Sequence, residues 1–136
     1  MTSIPSIQTA SDPILFAADM GERWRALMGP LGFGQAMLWV GFVGADRRMQ
    51  KVLSQVPVGR RPDEKLIDNL MTALSMLLDS EFEPGTSVAL LLTRPGSDHG
   101  VAADHRWAQL LTGAAQRVGV AIEPIFLAND RAVQPL

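Results

Sequence analysis

The stretch SVALLLTRPGSDHGVAADHRW, from Ser87 to Trp107, decides how the chain folds. Val88–Leu92 is an unbroken apolar run, which reads as a strand buried on both faces. Thr93-Arg94-Pro95-Gly96-Ser97-Asp98-His99-Gly100 interrupts it with polar residues, a proline and two glycines, and reads as a turn. From there the apolar spacing becomes helical: Trp107, Leu110, Leu111, Ala114, Ala115 and Val118 share one face, and Gly119 stops the helix. A buried strand feeding a helix through a polar turn is a common seat for a site in α/β proteins. Both histidines of the chain, His99 and His105, fall here beside Asp98 and Asp104.

Composition narrows the possibilities. A chain of 136 residues makes one domain, able to bury about two-thirds of its unfolded surface. Apolar residues are 47% and charged residues 19%, a globular balance. Without cysteine there are no disulfides, no thiolate chemistry and no cysteine-ligated zinc. A formal charge of −2 supplies no overall field for nucleic acid or anionic lipid. No apolar run approaches the roughly 18 residues of a membrane span. The opening MTSIPSIQTASDP lacks the basic start and apolar core of a signal peptide, so a soluble, cytoplasmic protein is expected.

Working outward, residues 1–11 read as a flexible lead-in and 12–136 as a single α/β domain. Ser11 or Asp12 before Pro13 predicts a helix start, and Ile14, Leu15, Ala18, Trp24, Leu27 and Met28 its core face, ending at Gly29-Pro30. Ala36–Val43 and Met49–Val58 predict a hairpin around a Gly44–Arg47 turn, with Val52, Val56 and Val58 alternating and Pro57 at an edge or strand end. Arg61-Pro62-Asp63-Glu64 opens a second helix with Leu66, Ile67, Leu70, Met71, Leu74, Leu77 and Leu78 as its stripe. A last strand spans Val120–Leu127, interrupted by Pro124, before a polar tail. Strands joined by crossover helices imply some parallel pairing. The expected fold is three-layer-like, with a central mixed sheet of four or more strands flanked by helices.

That order, with the turn Arg94-Pro95-Gly96-Ser97-Asp98, resembles the RadC-like branch of the JAB/MPN superfamily over about residues 37–130. The resemblance implies a JAB/MPN-like, cytidine-deaminase-like architecture. It also implies a family site in which two histidines and an aspartate bind zinc and a glutamate activates the bound water. Pro95-Gly96-Ser97-Asp98 stands where the family has Pro-Ser-Gly-Asp, but Leu92 and Arg94 stand in the histidine positions. Gln55 replaces the glutamate, Val101 the helix-opening serine, and only Asp104 keeps its acid. Gln55, Arg94, Ser97, Asp98 and Asp104 would then line a degenerate pocket holding no metal and no cofactor, with Arg94 paired to Asp104 or Asp98. Truncating Arg94 should in that case destabilise the fold. The implied function is a non-catalytic pseudoenzyme acting by protein interaction or self-association, with the last strand's edge and the first helix as contact surfaces.

Two other readings compete. A small hydrolase could use the turn 97–105, with Asp98, His99, Asp104 and His105 as an alternative metal set. No established ligand spacing is met, however, and these residues equally suit turn and helix-start roles. Ser97 as nucleophile lacks an elbow motif and a third orienting group. A nucleic-acid module would use Arg47, Arg48, Lys51, Arg60 and Arg61 around the hairpin. Those charges also suit an edge protected against aggregation, and no tyrosine accompanies them. Trp24, Trp39 and Trp107 are expected in the core.

Overall fold

The computed structural model describes residues 4–98 and 100–136. After a short 3-10 helix (Ile7–Ser11) come α1 (Ala17–Met28), β1 (Met37–Val43), β2 (Met49–Pro57), α2 (Glu64–Glu81), β3 (Ser87–Thr93), α3 (Ala102–Val118), β4 (Phe126–Ala128) and β5 (Val133–Pro135). The strands form one five-stranded mixed sheet in the order β2-β1-β3-β4-β5. β3 runs antiparallel to β1 and parallel to β4, as a helical crossover through α3 requires. Among the described residues, no helix is long and apolar enough to cross a membrane.

Side chains alternate across the sheet and feed two cores. Leu38, Val40 and Phe42 of β1 and Val88, Leu90 and Leu92 of β3 pack against Ile67, Met71 and Leu74 of α2 and Trp107 and Leu111 of α3. On the other face, Ala89, Leu91 and Phe126 meet Met20 and Trp24 of α1. All seven residues of β3 are buried, as an apolar run between two helical layers must be. The chain is therefore a three-layer α/β domain.

The expected second and third helices form, with Asp63 capping α2 through the Leu66 amide and Gly119 closing α3 at φ +75°. Leu77 and Val118, assigned to the buried stripes, are partly exposed at the far ends of those helices. Trp24 and Trp107 are fully buried, whereas Trp39 is only partly so and donates from Nε1 to Thr93 Oγ1 at 3.0 Å. Val52 is exposed along with most of the edge strand β2, and the hairpin register breaks beside it between Gly41 and Val43, where two steps on β1 answer four on β2.

Three expectations are corrected. The first helix begins at Ala17, not at Pro13. The Asp19 carboxylate accepts the Leu15 and Phe16 amides at 2.9 and 3.0 Å, which sets the helix start there. Arg23 meanwhile holds the Asp12 and Pro13 carbonyls in an extended lead. Leu15 and Phe16 consequently point into solvent. The Val120–Leu127 strand reduces to β4 plus a single bridge from Ile122 to Val88, since Pro124 has no amide to donate. The polar tail is not loose: it contributes β5, which covers the β4 edge expected to be open.

Core position should set the cost of truncation. Leu90→Ala, at a fully buried site, is expected to lower the unfolding free energy by about 2–5 kcal/mol. Leu77→Ala should cost less than about 1 kcal/mol. Denaturant unfolding of both variants checks this.

Candidate functional site

Arg94 is the first residue beyond β3, and its amide donates to Ala128 O at the end of β4. Its side chain turns back under the loop. Nε donates to Asp104 Oδ1 at 2.9 Å and Nη2 to Asp104 Oδ2 at 2.7 Å, a side-on bidentate pair. The two side chains are only 6% and 3% exposed. Nη2 also donates to Asp98 O at 2.7 Å and Nη1 to Pro95 O at 3.2 Å, so guanidinium and loop define each other. Hydrogen bonding to Asp104 raises the Arg94 pKa above its already high ordinary value, outweighing burial.

Asp104 does a second task. In the first turn of α3, its Oδ2 accepts the Val101 amide at 3.2 Å, ending a helix start that valine cannot cap with its own side chain. The loop is latched from the other side too. Buried Asn129 donates from Nδ2 to Asp98 O at 2.8 Å, and its Oδ1 accepts the Arg131 and Ala132 amides. Asp130 accepts the Gly96 amide at 2.8 Å and the Phe33 amide at 3.2 Å, and its own amide donates to Gly96 O. Gly96, at φ +102°, occupies backbone space that suits glycine.

The sequence-derived site residues thus divide. Arg94, Asp104 and the main chain of Asp98 come together. Ser97 and the Asp98 side chain lie on the exposed outside of the loop. Gln55 is not part of this cluster. It pairs in register with Trp39, on the α1 face of the sheet, whereas Asp104 belongs to the helix layer opposite. For the alternative metal set, His99 lies outside the described residues, His105 is exposed on α3, and Asp104 is occupied by Arg94. Among the described residues no three His, Asp or Glu side chains converge on a point. A recess of about 260 Å³ beside Arg94, lined by Ala36, Val58, Arg60 and Pro95, falls just below the usual ligand range of about 300–1,000 Å³.

The hairpin cations do not form one patch either. Arg47 and Arg48 sit at one end of β2 and Arg60 and Arg61 beyond the other. Nine strand residues separate them by roughly 30 Å. Arg47 makes a bidentate pair with Glu123 (2.5 and 3.0 Å) and bonds Ile14 O, while Arg48 bonds Ser11 O.

Sequence reasoning missed Asn129, Asp130 and Glu123. Asn-Asp after an apolar run is a turn signal, but nothing local says which loop it will latch. Glu123 is the acceptor at the other end of β3: besides Arg47 it takes the Ser87 hydroxyl at 2.6 Å. The Arg47 guanidinium holds its carboxyl below the usual glutamate range, against the opposing effect of burial.

Comparison with models of known families, with curated proteins and with solved structures returned no match.

A lowered folded-state pKa means that the Glu123 contribution is fully present above the unfolded carboxylate range and is lost as pH falls through the folded value. Glu123→Gln should therefore destabilise the protein at neutral pH, by about 1 kcal/mol after allowing for the partly exposed Arg47. The difference from the parent should shrink towards zero in acid. Denaturant melts at a series of pH values check both.

Proposed function

We propose that this chain is a non-catalytic interaction module: a degenerate relative of the RadC-like JAB/MPN frame, acting through protein contacts in the cytoplasm. The observation that carries this reading is the buried bidentate Arg94–Asp104 pair at the end of β3. In the resembled frame that strand end would present ligands and an activated water. Here the guanidinium charge is already met by a carboxylate and two carbonyls, leaving it little to offer a substrate anion. Leu92, at the other histidine position, is core. Asp98 is exposed and gives its main-chain carbonyl to Arg94 and Asn129, and among the described residues no three possible metal ligands come together.

The loops that could open a crevice between β3 and β4 are tied together by Asn129 and Asp130. A catalytic loop generally needs groups free to change partners during a reaction, whereas these polar groups are spent on one another. The nucleic-acid reading gains nothing from the divided arginines, two of which are held by protein acceptors.

The test is a zinc titration of protein purified without an affinity tag, combined with assays for peptide, ester and nucleotide hydrolysis. Neither stoichiometric binding nor zinc-stimulated turnover is expected. One equivalent of zinc, lost in His105→Ala and accompanied by turnover, would contradict the proposal.

A further inference from the structure

The sheet ends unequally. β5 at one edge is three residues long and contains Pro135. β2 at the other edge runs for nine residues, and all but Met49 and Val56 are exposed. The Val58 amide donates to Ala36 O. By antiparallel alternation from that bond, the backbone groups of Val56 and Ser54 are directed to β1 and those of Leu53 and Gln55 outward. Pro57, which has no amide, falls in the outward set. Among the described residues no strand lies beyond this edge. Native edges are usually guarded by charge, proline or brevity. β2 has one charge, Lys51, near one end and its proline at the other. Between them lies Val52-Leu53-Ser54-Gln55-Val56, with Val52 and Leu53 among the exposed large apolar side chains of the chain.

We infer that β2 is a self-association strand, pairing antiparallel with β2 of a second copy about a two-fold axis through Leu53. The inference rests on the interaction reading above and names its partner. The argument for a second copy is self-complementarity. With the axis at Leu53, the outward groups of the two Leu53 residues form a hydrogen-bonded pair and their side chains meet. Each Lys51 then faces a neutral Gln55, and each Val52 faces Ser54. An axis at Lys51 would set two ammonium groups opposite each other. An axis at Gln55 would set Pro57 against Leu53 where an amide is required. Alternation fixes Leu53, Gln55 and Pro57 as outward, and the register break lies beyond Leu53; of the registers centred on Lys51, Leu53 and Gln55, only the one at Leu53 avoids both faults. The two sheets then run on as one of ten strands, and an isologous contact of this kind closes at the dimer.

Sedimentation equilibrium of the full chain should show a reversible monomer–dimer equilibrium. Leu53→Lys and Leu53→Glu place like charges across the axis and should each raise the dissociation constant at least about tenfold. Both should keep the parent circular dichroism and melting temperature, because the position is at the surface. An equimolar mixture of the two variants should recover the dimer. If either variant fails to fold, concentration-dependent protection of the Leu53 and Gln55 amides in the unaltered protein reads the same contact. A monomer at every concentration, or a dimer indifferent to both substitutions, overturns the inference and leaves the non-catalytic reading standing. Zinc-dependent hydrolysis overturns that reading, whether or not the dimer forms.

Discussion

The Arg94–Asp104 ion pair is the constraint on which one whole end of the molecule depends. Burying two charges is costly, and the cost is recovered only when the geometry is good and the remaining donors are satisfied. Here four of the five guanidinium N–H groups have acceptors, two on the carboxylate and two on loop carbonyls. Asp104 simultaneously caps the start of α3 by accepting the Val101 amide. One pair thereby sets where β3 stops, how the loop turns and where the next helix begins. Losing either partner would leave an unpaired charge in the interior as well as a frayed helix end.

β3 is clamped at both ends by arginine–carboxylate pairs that reach across the sequence. At its start, Ser87 and Arg47 converge on Glu123; at its finish, Arg94 meets Asp104. Between the clamps Val88–Leu92 is wholly apolar and the whole strand is buried between helical layers. This division of labour explains why polar side chains gather at strand ends without making a reactive cluster. Their hydrogen-bonding capacity is directed at fixing loops over a sheet whose centre has nothing polar to orient it.

Much of this architecture could be read from the residues. The Val88–Leu92 run, the two leucine-rich helices and the hairpin are local patterns, each dictated by spacing, caps and glycine. For Arg94 only the resemblance offered partners, Asp104 or Asp98, and left the choice open; the carboxylate it meets is that of Asp104, while Asp98 gives it a main-chain carbonyl. What stayed hidden is non-local. β5 is only three residues, too short for alternation, and it forms because Asn129 folds the chain back through its own amide bonds. Nothing near Glu123 announces Arg47, which lies in a different turn. The position of Gln55 was misplaced for a related reason: distance from a glycine does not reveal which sheet face a residue occupies.

The claim that Arg94 and Asp104 form a structural pair is tested most directly by a double-mutant cycle on unfolding free energy, using Arg94→Met and Asp104→Leu. Each single substitution should cost about 3–5 kcal/mol, and the double variant much less than their sum, because its interior holds no orphan charge. Single substitutions that leave stability within about 0.5 kcal/mol of the parent, and that simply add, would show that neither residue is needed by the fold. The strand end would then have to be explained by another role.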